Sequence, residues 1–207
     1  MLEIKANLKF ICPFGCIVSG PSMSGKSHFI LQLLKRPDLF EPPPERIVYA
    51  YNSWQSAFDG SPGVEFVWGI DSLSEVQFDP NVNNLLIIDD LMDEVANGKK
   101  GSTLFTRDMH HKNVTVFLVV QNLFKQGKSM RDITLNCQVL VLFKSPRDVH
   151  QIGVLERQTG IKELVKAYLQ STKEPYGYLV INLQSHTPET ITLQSDIFSR
   201  HRRIFRK

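Results

Sequence analysis

The stretch Gly20-Pro21-Ser22-Met23-Ser24-Gly25-Lys26-Ser27 decides how this chain is read, because of what stands on either side of it. It is entered through the apolar run Cys16, Ile17, Val18 and left through Phe29, Ile30, Leu31, Leu33 and Leu34, the pattern of a strand, a tight loop and a helix. In that setting a GxxxxGKS loop cradles a nucleotide's phosphates. The glycines let backbone N–H groups converge on oxygens, and the helix that follows points its positive end at them. Lys26 is then placed to reach the β- and γ-phosphates and the Ser27 hydroxyl to hold Mg²⁺. The residues from Gly20 through Pro21, Ser22, Met23, Ser24, Gly25 and Lys26 to Ser27 and His28 form the expected phosphate cradle, with ATP and Mg²⁺ as the implied cofactors.

Working outward, Lys26 finds its counterpart about 60 residues on, at Leu85-Leu-Ile-Ile-Asp89-Asp90. A run of four apolar residues closing on two acids is what a strand buried on both faces of a parallel sheet needs, and ligands bind at the carboxyl ends of such strands. Asp89 is expected to hold Mg²⁺ through water, and Asp90 to polarise the attacking water. Val114-Thr-Val-Phe-Leu-Val-Val120 reads as another buried strand, lying beside the first and ending on Gln121, which would face the γ-phosphate or the lytic water. Arg131, a few residues past a basic loop, reads either as a solvated helix residue or as a finger reaching a neighbouring subunit's nucleotide.

Strands alternating with helices elsewhere imply an α/β fold with a mostly parallel, doubly wound sheet flanked by helices. Further strands are expected over 8–11, 46–51, 64–68, 139–143 and 178–183, with a hairpin partner near 190–193. Helices are expected over 25–36, 102–110, 130–136, 148–158 and 161–171, and residues 71–84 read as polar with scattered apolar positions. Residues 1–199 form a single domain in this reading and 200–207 a basic C-terminal tail.

At 207 residues, 42% hydrophobic and 22% charged, the chain has the composition of an ordinary globular domain. No apolar run approaches the ~18 residues needed to span a bilayer, and the first residues lack a signal peptide's hydrophobic stretch. A nuclear or cytosolic location follows as the expectation. Three cysteines argue against a disulfide framework; Cys12 and Cys16 read as buried thiols or, less simply, as half of a metal site without a second pair. The net charge of +3 is uneven: the last eight residues hold five of the 24 Lys and Arg, and without them the body carries 19 basic against 21 acidic groups. Nucleic-acid contact would therefore come from local loops, with Lys99, Lys100, Lys125 and Lys128 as candidates, or from the tail. Trp54 reads as buried, with base stacking the other option.

With these residues in hand, the chain resembles the genome-packaging ATPases of the FtsK/HerA superfamily, in the branch of poxviruses and Polinton-type or adintovirus elements. The likeness rests on CIVSGPSMSGKS at 16–27, LLIIDDLM at 85–92, HHKNVTVFLVVQNLFKQGKSMRDITLN at 110–136, VLFKSPRD at 141–148 and PYGYLVINL at 175–183. It implies an additional-strand P-loop NTPase that assembles as a pentameric or hexameric ring. Such a motor drives double-stranded DNA into a capsid, with a capsid or portal-vertex protein as partner and no membrane. It also implies Lys26 and Ser27 on phosphate and metal, Asp89 on the metal, Gln121 as phosphate sensor, Asp90 where many members carry a glutamate, and Arg131 as a trans-acting arginine. Two other classes share the loop: a small-molecule P-loop kinase, and a nucleotide-binding adaptor without motor activity.

Overall fold

The computed structural model describes residues 2–4, 9–59, 61–97, 109–124 and 128–205. At its centre lies β3 (Gly15–Ser19), the strand that leads into the loop at 20–25, with every residue buried. Its neighbours are β8 (Val114–Val120) and β9 (Val139–Phe143), both parallel to it. Beyond β8 come β7 (Asn84–Asp89), β5 (Arg46–Tyr51) and the edge strand β6 (Val64–Trp68), again parallel. Beyond β9 the direction reverses. β10 (Tyr178–Asn182), β11 (Leu193–Ser195), β12 (Arg202–Phe205) and β1 (Leu2–Ile4) continue the same ten-stranded sheet antiparallel. A separate two-stranded ribbon pairs β2 (Phe10–Ile11) with β4 (Phe40–Glu41).

The sequence of the central strands dictates this placement. Alternate side chains go to opposite faces, and in β3, β7, β8 and β9 both sets are apolar, so both faces must be covered. One face takes Cys16, Val18, Leu85, Ile87, Phe117, Val119, Val139 and Val141. It is covered by α1 (Lys26–Leu34), through Phe29, Ile30 and Leu33, and by an aromatic layer in which the Phe14 ring meets Phe117 edge-on at 5.7 Å. The other face takes Ile17, Leu86, Ile88, Val116, Leu118, Leu140 and Leu142. Over it lie α2 (Gly69–Glu75), α3 (Met92–Asn97), the helical residues α4 (Met109–His111), α5 (Lys128–Asn136), α6 (Val149–Thr159) and α7 (Leu164–Ser171). Each fully buried aliphatic or aromatic side chain contributes roughly 1.5–3 kcal/mol, so the parallel block is a well-stabilised base for the loops at its tips.

The differences from the sequence reading have physical reasons. Residues 71–84 contain the end of α2, whose core contact is Leu73, a signal too sparse to read as a periodic face. Helix α3 follows β7 directly and was not expected. The helix expected over 102–110 falls largely outside the described residues, which include only its last positions, Met109 and His110. The hairpin partner of β10 starts at Leu193, after a 3-10 turn over Glu189–Ile191. Arg202–Phe205, read from composition as part of a tail, is a strand: Ile204 is fully buried, and the Arg202 side chain, 5% exposed, lies against the Gln194 amide. The net charge of the segment concealed an alternation that places Ile204 inward.

A free tail and an integral strand make different predictions. Ile204→Ala should cost about 2–5 kcal/mol, the usual penalty for emptying a buried aliphatic site, and lower the midpoint of thermal unfolding by several degrees. An unchanged melting curve would return the segment to the status of a tail.

Candidate functional site

The loop between β3 and α1 is shaped by its two glycines. A Cβ on Gly20 would stand 2.6 Å from Phe143 Cβ and 2.7 Å from Ser24 Oγ, so only glycine fits there. Gly25 caps α1 from the left-handed region at φ 105°, a conformation natural to glycine. Among the described residues no side chain caps the helix, which leaves its first N–H groups directed at the loop's concavity. The Lys26 ammonium lies inside that concavity and donates to the carbonyls of Gly20 at 2.6 Å and Pro21 at 2.8 Å. Ser24 Oγ is buried there with no hydrogen-bond partner among the described residues. An uncapped helix start, an ammonium and an unpaired hydroxyl converging on one loop suit an anion, and the residues present fit a phosphate group. Pro21, Ser22 and Met23 form the exposed outer rim, Met23 at φ 62°; Ser27 is half-buried in the first turn of α1 and His28 exposed.

β8 separates this loop from the acids. Ser19 pairs with Val120 and Asp89 with Val119, so β3 and β7 end level to within a residue, two strand spacings or about 10 Å apart. Asp89, the last residue of β7, is 6% exposed and accepts a hydrogen bond from the Tyr49 hydroxyl at 2.7 Å. Burial raises its pKa above the ordinary carboxylate value; the Tyr49 bond opposes this, the Asp90 charge adds to it, and Lys26 opposes it. Lys26 shows the mirror image: burial lowers its pKa, while Asp89 and Asp90 pull it back up. Each group is thus held where burial disfavours its charge. A carboxylate in that position is prepared for a cation.

Asp90 turns the chain out of β7 at φ 57°, a left-handed conformation that Asp tolerates better than most residues. With Gln121, just past β8, it lines an open cavity of about 410 Å³ that also presents Asn52, Glu94 and Asn122. The structure therefore brings Asp90 and Gln121 together. Arg131 is exposed on α5 and lines neither this cavity nor the loop. Of the lysines, Lys99, Lys100 and Lys125 lie outside the described residues, and Lys128 is the first residue of α5. Trp54, read as buried, is half-exposed at the rim of a cluster with Tyr51, Phe58 and Phe66, since only one side of its ring meets the sheet edge.

Sequence reasoning passed over Tyr49, Glu94 and Asn52. Tyr49 left a trace: a tyrosine inside the apolar run of β5 must find a partner for its hydroxyl, and the nearest strand-end acid was Asp89. Glu94 and Asn52 left none, because the turn at Asp90 and the path out of β5 decide where they face.

No protein-family model matches the chain, and no curated protein does. Solved structures are similar to it in fold. The genome packaging NTPase B204 of Sulfolobus turreted icosahedral virus 2, in complex with ATP-gammaS, superposes with a TM-score of 0.54 at 14% identity, over 88% of this chain and 96% of that one. B204 of Sulfolobus turreted icosahedral virus, described as its DNA-packaging ATPase, gives 0.55 at 16% identity over 85% and 96%. A KaiC-like protein of Pyrococcus horikoshii OT3 gives 0.50 at 9% identity over 99% of both chains. At these identities the likeness establishes the fold: a mixed α/β domain with a large, mostly parallel sheet flanked by helices, of the kind these P-loop NTPases share.

Proposed function

We propose that this chain is a Mg²⁺-dependent ATPase motor that translocates double-stranded DNA, packaging a viral or virus-like genome into a capsid. The observation that carries the reading is the buried Asp89 carboxylate at the sheet tip, one strand removed from the loop that holds Lys26. The similarity of fold to two packaging NTPases, one described as a DNA-packaging ATPase, supports it. In the proposed site the loop amides and Lys26 bind the β- and γ-phosphates, and the Ser27 hydroxyl and Asp89 hold Mg²⁺. Bound there, the ion would neutralise charge on the phosphates. The described residues contain no group of three or more His, Cys, Asp or Glu able to hold a metal, so such an ion would share its coordination with phosphate and water, as Mg²⁺ does.

Asp90 and Gln121 orient the attacking water in the cavity they share. Arg131 reaches the nucleotide of a neighbouring subunit in a pentameric or hexameric ring, and its exposure suits a role outside its own chain. Lys99, Lys100, Lys125 and Lys128 grip the duplex, and a capsid or portal-vertex protein is the docking partner, at assembly sites in the nucleus or cytoplasm of the host cell.

Lys26→Ala should reduce ATP hydrolysis by about 10²-fold or more, the scale seen when one preorganised charge donor is lost, while circular dichroism stays unchanged. Comparable turnover by the variant and its parent refutes the site. Hydrolysis measured without any phosphate acceptor, with and without duplex DNA, separates this reading from a small-molecule kinase: stimulation by the duplex is expected. Nucleotide binding without hydrolysis at any DNA concentration would point to an adaptor.

The raised pKa of Asp89 gives a second test, one that needs no turnover. Because the folded value lies above the unfolded one, the folded protein holds this proton more tightly. The contribution to stability is fully present below the unfolded pKa and is lost as pH rises through the folded pKa. At neutral pH and without metal, Asp89→Asn should therefore be more stable than the parent, read as a higher Tm. The gain should shrink on acidification, and Mg²⁺ with nucleotide should raise the Tm of the parent more than that of the variant. A variant less stable than the parent at pH 7 would assign the carboxylate to the fold rather than to a metal.

A further inference from the structure

A second cavity, of about 460 Å³, opens on the opposite side of the phosphate loop from Asp90 and Gln121. One wall is a face of α1: Gly25, His28 and Gln32 are spaced three and four apart and so lie one above another. From Gly25 to Gln32 the helix advances about 10 Å, the scale of a nucleoside measured from its phosphate. The other wall is aromatic. Phe143 ends β9 and Tyr178 opens β10, their ring centroids 5.6 Å apart. In the sheet order β9 and β10 lie on one side of β3 and the acids of β7 on the other, so the two cavities flank the phosphate loop.

Tyr176 stands at the mouth. It is 70% exposed, yet its placement is tightly determined. Its backbone is left-handed at φ 61°, unusual for a bulky residue. The next residue, Gly177, donates its amide to the Glu174 carbonyl at 3.1 Å. A Cβ on Gly177 would stand 2.3 Å from the Ser171 carbonyl at the end of α7, so the turn is seated against that helix. The ring itself packs against Gly25, with Cδ1 3.2 Å from where a Cβ would be. An aromatic face is thus presented to solvent beside the phosphate loop by a strained turn, and strain of this kind marks functional positions. Opposite it, Gln32 Nε2 and His28 Nε2 lie 3.0 Å apart. That pairing leaves the Gln32 carbonyl oxygen and one amide hydrogen free to meet a donor–acceptor edge.

We propose that this cavity is the nucleobase site, taking a purine stacked on Tyr176 with its polar edge toward Gln32 and His28. The proposal rests on the reading of Gly20–Ser27 as a phosphate loop and extends it from the phosphates to the rest of the nucleotide. The volume lies within the range of small-ligand sites, roughly 300–1,000 Å³. Stacking on an exposed aromatic is available to any base but strongest for the larger purine face. The nucleotide then lies across the sheet tip, its base beside β9 and β10 and its terminal phosphate toward Asp89.

The test compares ATP, CTP and inorganic tripolyphosphate, each with Mg²⁺, by calorimetry on the full chain and its Tyr176→Ala and Tyr176→Phe variants. The parent should bind ATP more tightly than CTP. Tyr176→Ala should weaken ATP by about tenfold or more, the equivalent of ~1.4 kcal/mol, leave tripolyphosphate unchanged, and Tyr176→Phe should retain ATP affinity. Unchanged ATP affinity in Tyr176→Ala, or an equal loss for ATP and tripolyphosphate, overturns the base site while leaving the phosphate loop standing. A parent that binds neither ATP nor tripolyphosphate removes the phosphate loop and this proposal with it. Photolabelling of the unmodified chain with 8-azido-ATP is independent of how the variants fold: the adduct is expected on the tryptic peptide beginning at Glu174, and an adduct confined elsewhere refutes the assignment.

Discussion

Two opposite charges, each in a place that disfavours it, face one another across a single strand: the Lys26 ammonium drawn onto the carbonyls of Gly20 and Pro21, and the Asp89 carboxylate buried at the end of β7. The distance between them is set by backbone hydrogen bonding. β8 is inserted between β3 and β7, and its register holds both strand ends level. Anything able to bridge the gap must carry negative groups toward the loop and a positive one toward the acid, a description that a metal–triphosphate satisfies. The rest of the architecture keeps this gap constant.

That constancy comes from the parallel block. Its central strands are buried on both faces, so a tilt or slip in any of them would expose apolar surface on two sides at once. Polar groups inside the block are paired where they matter to the site. The Tyr49 hydroxyl bonds to Asp89, and the Asn84 amide at the other end of β7 reaches the carbonyls of Asp79 at 2.8 Å and Val82 at 3.0 Å. β7 is thus fastened at its start and its end. The antiparallel extension through β10, β11, β12 and β1 does a different job: it carries the chain from α7 back alongside β9, and in doing so lays Tyr178 and Tyr176 next to Gly25.

Electrostatics and packing oppose each other at this site. Packing alone would favour an apolar residue at position 89, since the burial that raises its pKa is a cost borne at neutral pH. Position 25 shows the same tension in the backbone, where Gly25 at φ 105° and the adjoining ring of Tyr176 leave no comfortable room for a side chain. Features that run against burial or backbone preference cluster within one sheet tip, which is the physical ground for locating function there.

Much of this was legible in the chain itself. The spacing Gly20 to Ser27 between an apolar run and a helical pattern, and the acids closing Leu85–Ile88, are local signals, written in consecutive residues whose neighbours determine their meaning. The parallel core followed from runs apolar at nearly every position, and Gln121 beside Asp89 from the length of the Val114–Val120 strand. Only the tertiary structure decided that Tyr49 reaches Asp89, that Glu94 turns into the cavity of Asp90, that Arg202–Phe205 is a strand, and that Tyr176 returns to Gly25 from 151 residues away. Those contacts join segments whose separation in sequence carries no periodic mark. They exist because strand order and a few left-handed turns bring distant tips together, and hydrogen-bond register across a sheet is a property of the assembled sheet rather than of any one strand in it.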